Sequence, residues 1–249
     1  MTDLAAVRAI LDRDRVWSVY ALGDLAPQHL PHCRWIAAGN GLALLYREFE
    51  PPIFFFTGGP GEARDVLVSL DVTQMYLHVK PEIVPVISPL YTISHLTPMW
   101  RMALDTWHFR PERTHSAEML GPHDLASLEK LYSDGLETGE APYFFFPSML
   151  ETGVFSGIRV ADELVAVAGT HLVNSEDGAA AVGNIYTRRD HRGQGLAGSA
   201  TSAVVEQLIR MGISTIALNV KQDNPGARRV YERLGFFLHC DFVEGVARR

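Results

Sequence analysis

Cysteine is scarce in this chain: Cys33 and Cys240 are the only two among 249 residues. They stand far apart, form no CxxC and have no metal-ligand spacing. They therefore exclude a disulfide framework and read as buried or surface thiols of a reducing compartment. Long hydrophobic runs are missing too. No stretch of 18 apolar residues occurs, so no membrane span is expected. The first residues, MTDLAAVRAILDRDR, carry acids and no long apolar core, which does not fit a secretory signal. Neither sign of charge dominates strongly. With 22 basic and 29 acidic residues the net charge is -7, which gives no support to non-specific nucleic-acid binding. Gly58-Gly59-Pro60-Gly61 lacks the lysine of a phosphate-binding P-loop and reads as a turn. No residue spacing suggests a metal centre. A soluble cytoplasmic protein is the expectation.

What is present is a 47% hydrophobic chain, enough for one large domain or two modest ones. Residues 3–13 and 15–26 have helical periodicity, ended by Pro27. Strands are predicted over 33–38, 42–49 and 53–57, then a helix up to Leu70 and strands over 75–79 and 99–108. Residues 111–116 read as a linker. In the second half a helix follows Gly121-Pro122-His123-Asp124. Strands are predicted over 154–160, 164–172 and 180–187, a helix over 194–211, and a strand over 213–220. Asn224 suits an N-cap with Pro225 at the first helical position, Gly235 suits the C-terminal cap, and 236–246 closes the chain as a strand. The pattern is α/β with a mixed sheet.

The stretch Arg192-Gly193-Gln194-Gly195-Leu196-Ala197 carries the most information. It lies between a predicted strand and a predicted helix. Free backbone N–H groups and the dipole at a helix N-terminus favour an anion, and glycines let a phosphate approach closely.

Two blocks, GNIYTRRDHRGQGLAGSA at 183–200 and LNVKQDNPGARRVYERLGF at 218–236, resemble the GNAT superfamily of acyl-CoA-dependent N-acyltransferases. Arg192, Gly195 and Ala197 meet the family pattern Gln/Arg-x-x-Gly-x-Gly/Ala. Asn224, Ala227, Tyr231, Leu234, Gly235 and Phe236 hold the expected places of the later block. The resemblance covers roughly residues 118–246. It implies a GNAT-like mixed β-sheet flanked by helices, with a catalytic domain over 118–249.

The resemblance further implies acetyl-CoA, or another short acyl-CoA, as co-substrate. Its pyrophosphate would lie on the backbone of Gly193, Gln194, Gly195, Leu196 and Ala197, and its pantetheine along the strand edge Asn184–Thr187, with Ile185, Tyr186 and Thr187 as the contacts. Arg192 reads either as a phosphate contact or as a solvated arginine beside Arg188 and Arg189. Asn224 reads as a cap that also contacts cofactor, or as a cap alone. Tyr231 holds the place of the family's general acid; packing a helix onto the sheet is the plainer account. The carboxylate that many relatives carry at the start of the strand before the loop is absent, because Ala179-Ala180-Ala181 stands there. Glu176 and Asp177 lie in the preceding turn. His171, read as ending the neighbouring strand, is a candidate base or a structural histidine. Tyr143–Phe146 suggests an apolar wall for the acceptor or a core cluster, and Glu140 and Glu151 could attract an ammonium.

The first half, over 1–112, lacks both blocks. LGDL at 22–25 and FFFTGGPGEARDVL at 54–67 resemble the amino-terminal part of two-part acyltransferases, which implies a degenerate GNAT-like half. Such a half can cover the acceptor site, support the fold or mediate a homodimer. The leading expectation is transfer of an acyl group to the amine of a small molecule or peptide. The alternative is a non-catalytic coenzyme A-binding regulatory domain.

Overall fold

The computed structural model describes residues 3–142 and 144–249, so Tyr143 of the aromatic run lies outside the described residues. The first elements are α1 (Leu4–Leu11), α2 (Val19–Gly23), β1 (Cys33–Ala38), β2 (Gly41–Tyr46), β3 (Ile53–Thr57), α3 (Pro60–Ser69), β4 (Gln74–Val79), α4 (Val84–Ile87) and β5 (Thr92–Leu104). They are followed by β6 (Glu118–Leu120), α5 (Leu125–Leu136), α6 (Met149–Thr152), β7 (Phe155–Val160), β8 (Glu163–Asn174) and β9 (Ala179–Thr187). The last are α7 (Leu196–Arg210), β10 (Thr215–Lys221), α8 (Pro225–Leu234) and β11 (Phe236–Arg248). No helix of the described residues is long and apolar enough to cross a membrane.

The chain divides into two compact units. One comprises Met1–Arg101, Val220–Asp223 and Leu238–Arg249; the other comprises Met102–Asn219 and Asn224–Phe237. The sequence reading put the boundary at the 111–116 linker and gave the whole C-terminus to the second half. In the structure Val243–Arg248 pairs antiparallel with β4, which draws the closing strand into the first unit. Such a pairing joins residues remote in sequence, so local periodicity does not reveal it.

Within the first unit the strand order is β1-β2-β3-β4-β11-β5. The β1–β2 and β2–β3 pairs are antiparallel and β3–β4 is parallel. One face of the sheet packs Leu45, Phe54, Phe56 and Leu77 against Val66 and Leu67 of α3. Elsewhere in this unit Arg101 is fully buried. Its guanidinium lies 5.4, 4.9 and 5.4 Å from the rings of Trp17, Tyr20 and Phe242 and donates to Val16 O (3.2 Å). It also lies 2.6 Å from His78 Nε2. Burial, and then the Arg101 charge, hold His78 well below the usual histidine range, so the ring is neutral and accepts this bond.

Within the second unit the order is β10-β9-β8-β7-β6, with β10–β9 parallel and the other pairs antiparallel. Leu128, Leu131 and Tyr132 of α5 pack on Phe155, Val167 and Tyr186. The small residues Ala179-Ala180-Ala181-Val182 are buried, as a strand covered on both faces requires.

Removing the Arg101 side chain empties a site walled by aromatic rings and strips His78 of its donor. Arg101→Ala should lower stability by about 3 kcal/mol. Chemical denaturation checks this, and an unchanged midpoint would count against the account.

Candidate active site

The parallel ladder between β9 and β10 has the pairs Ala179–Thr215 through Val182–Leu218 and then ends, while both strands continue. The other edge of β9 remains paired to β8, with Val167 opposite Tyr186 and Ala166 opposite Thr187. Arg188 N donates to Val165 O at 2.9 Å, which fixes the phase of this antiparallel ladder. Backbone groups in such a strand alternate between its two edges. Arg188 and Tyr186 therefore direct theirs at β8, whereas Ile185 and Thr187 direct theirs at the edge that β10 has left.

Of the three predicted strand contacts, Ile185 and Thr187 thus offer backbone to the open edge. Tyr186 does not. Its backbone faces β8 and its hydroxyl donates to Asp134 Oδ2 on α5 (2.7 Å). Periodicity locates such a strand but not which edge of it is bonded.

Past Thr187 the chain turns through residues 188–195 into α7. The helix starts at Leu196, two residues later than the sequence suggests. Gly193 and Gly195 have φ of 77° and 83°, in the left-handed region that glycine enters without strain. A side chain at Gly193 would meet nothing within 4 Å, so the loop is open on that side. Gly195 is the N-cap of α7, and no side chain caps this terminus. Donors at this start are thus left for an anion. Gln194, Leu196 and Ala197 complete this turn.

The 112–116 stretch, read as a linker, is instead pinned along α7. Glu112 N donates to Ser202 Oγ (2.9 Å), and Thr114 Oγ1 lies 3.1 Å from Ser199 Oγ. His115 Nε2 lies 2.8 Å from Gln194 O, in the turn before α7.

Arg192 is already engaged. Its guanidinium bonds both Glu140 oxygens (2.8 and 3.2 Å), its Nε donates to Thr187 O (3.2 Å), and it lies 5.6 Å from the Tyr186 ring centroid. The hydrogen bond from Arg192 is the largest cause that lowers the Glu140 carboxyl below its usual range. Glu140 therefore faces Arg192, not an incoming ammonium as its sign suggested.

Asn224 caps α8, its Oδ1 accepting from Ala227 N at 3.0 Å, and Gly235 closes the helix at φ 100°. Tyr231 and Leu234 form the buried face of α8. Tyr231 is 7% exposed, its ring lies 6.1 Å from that of Phe236, and no described residue hydrogen-bonds its hydroxyl. Burial pushes this phenol above its ordinary pKa, so it holds its proton throughout the neutral range.

His171 does not end its strand. It lies inside β8 at a bulge, the extra residue between the pairs Thr170–Val182 and Leu172–Ala181. Its ring lies over Gly183, where any added side chain would collide with it, and 6.1 Å from the ring of Phe144. A bulge redirects a side chain without altering composition, so the sequence did not show it. Phe145 joins the core beside Tyr132 and Phe155, whereas Phe144 packs on Phe146 and faces His171. Asp177 is bound to Asn174 in its turn.

The sequence names Asn184 only as the first residue of the expected pantetheine edge. It sits at a second bulge, on β9, with φ of 53°. Asparagine next to glycine inside an apolar strand was the available signal, since asparagine tolerates this backbone better than most residues.

The sequence profile of the Acetyltransferase (GNAT) family matches residues 121–236. A mycothiol acetyltransferase of Corynebacterium aurimucosum is 35% identical over 82 residues, which span 30% of this chain and 27% of that protein. The chain thus matches about a quarter of that relative's length. A putative GNAT-family acetyltransferase of Novosphingobium aromaticivorans has a similar structure, with a TM-score of 0.63 at 20% identity over 93% of this chain and 96% of that one. A GCN5-related N-acetyltransferase of Kribbella flavida gives 0.60 at 20% identity, over 94% of each chain. These two likenesses bear on the fold alone. The open strand edge, the glycine turn and the capped α8 all lie inside residues 121–236, the segment that matches the Acetyltransferase (GNAT) family.

Proposed function

We propose that the second unit transfers an acetyl or other short acyl group from acyl-CoA to a primary amine, with Tyr231 as general acid. One observation carries the reading: a strand edge freed beyond Val182 runs into a glycine turn and an uncapped helix start. Acetyl-CoA supplies an acyl group activated as a thioester, with a thiol as the leaving group. The backbone of Gly193–Ala197 is the place for its pyrophosphate, and the outward Ile185 carbonyl and Thr187 N–H are the place for its pantetheine amides. Tyr231 holds a proton to give to the departing sulfur. The amine must lose its own proton to attack, and His171 is the candidate to take it. An amine that arrives neutral needs no such base. Phe144 and Phe146 offer an apolar wall for the acceptor, whether small molecule or peptide.

We assign the first unit a supporting role and one acyl-CoA site to each chain. The first unit repeats the order strand, glycine turn, helix in β3, Gly58-Gly59 and α3. Only those two glycines separate strand from helix, against residues 188–195 in the second unit. Trp17 Nε1 takes Phe56 O at 3.0 Å, just past the last β3–β4 pair. Glu62 lies against the helix start, with its Oε2 2.9 Å from where a side chain on Gly59 would begin. A carboxylate there opposes a phosphate.

Titration of the chain with acetyl-CoA in a calorimeter should give one site, and two would refute the supporting role. Tyr231→Phe should lower kcat roughly a hundredfold, leave the acetyl-CoA Kd within about threefold, and remove no activity between about pH 7 and 9 that titrates with this phenol. Thiol release measured against a panel of amines checks it. Binding without release by the unaltered chain, across that panel, would favour a regulatory coenzyme A-binding domain. Glu140 competes with a phosphate for Arg192, so Glu140→Ala should tighten acetyl-CoA binding by roughly two- to fivefold. Weaker binding would count against a phosphate role for Arg192.

A further inference from the structure

The open edge of β9 is not a plain strand. From Gly183 to Tyr186 the strand advances three positions, while β8 advances only from Gly169 to Val167. The extra residue lies at Asn184–Ile185, and Asn184 takes up the bulge with φ of 53°. Its carbonyl leaves the ladder and is caught by a side chain: Tyr132 Oη, on α5, donates to Asn184 O at 2.8 Å. That bond is buried, and Tyr132 is 5% exposed. Asn184 Nδ2 holds the strand from its other end through Thr170 O (3.4 Å).

The consequence follows from peptide geometry. Asn184 C=O and Ile185 N–H belong to one planar trans peptide and point in opposite directions. A hydroxyl that draws the carbonyl toward α5 therefore turns the Ile185 N–H away from α5. This N–H is one of the two that the ladder phase directs at the open edge.

We propose that Tyr132 is a positioning residue: by holding Asn184 O it aims the Ile185 N–H at the acyl carbonyl of the bound acyl-CoA. This rests on the acyl-CoA reading above. Asparagine at 184 supplies the left-handed backbone, Tyr132 fixes the peptide plane, and the Ile185 N–H meets charge that develops on the carbonyl oxygen. The Tyr132 ring is held edge-on by Phe145 and Tyr186, at 5.3 and 6.2 Å between centroids. The hydroxyl thus arrives from a fixed direction, and removing the oxygen alone leaves that packing in place.

The test is Tyr132→Phe in the full chain, read in two ways. In 15N-labelled protein without ligand, the Ile185 amide should shift and exchange faster while amides of β7 stay in place. In turnover, kcat should fall about tenfold with KM for acetyl-CoA within about twofold. Asn184→Gly, which accepts the same φ, should lose less activity than Asn184→Ala. An unmoved Ile185 amide together with unaltered kcat would overturn the proposal. So would a fall in melting temperature with kcat and KM changed together, which marks a structural tyrosine. If the unaltered chain neither binds acetyl-CoA nor turns it over, the acyl-CoA reading fails, and the aiming of Ile185 at an acyl carbonyl falls with it. A moved Ile185 amide would then report only the hold on the peptide.

Discussion

The site depends on where the ladder between β9 and β10 stops. A strand in mid-sheet normally spends its backbone groups on both neighbours. Beyond Val182 and Leu218 the partner strand no longer pairs with β9, while β8 still does. The chain therefore keeps the rigidity of a sheet on one edge and leaves backbone groups of Ile185 and Thr187 on the other. An extended ligand with amides of its own is the chemical complement of such an edge. The glycine turn and the start of α7 follow directly, so strand-edge donors and a helix start without a side-chain cap lie on one continuous piece of chain.

Much of the second unit serves to hold this piece in place. Tyr132 grips the bulge at Asn184, and Tyr186 is tied to Asp134. The 112–116 segment lies along α7 and bonds Arg233 of α8 through Glu112. The small side chains of Ala179–Val182 let helices cover both faces of β9 without displacing it. Each of these contacts costs conformational freedom, and a site whose ligand must approach backbone closely requires that rigidity.

The first unit has the same order of elements in different surroundings. Its glycine turn is only two residues long, its strand carbonyl accepts from Trp17 Nε1, and Glu62 lies against its helix start. The buried Arg101, stacked among aromatic rings and bonded to a neutral His78, gives this unit a polar core of its own. The last strand of the chain completes its sheet, so neither unit is a simple segment of the sequence.

The sequence alone determined the parts that depend on local rules. The glycine turn, the Asn224 cap, the Gly235 stop and the identity of most strands follow from backbone preference and hydrophobic period, which act within a few residues. The GNAT resemblance was legible for the same reason, since its two blocks are runs of such local features. Tertiary structure decided the rest. It put Val243–Arg248 beside β4, ended the β9–β10 ladder at Val182, gave Arg192 to Glu140, and moved His171 from a strand end to a bulge over Gly183. Each of these is a choice of partner between residues far apart in the chain. Composition and period state which groups need partners; only the packed fold determines which partners they find.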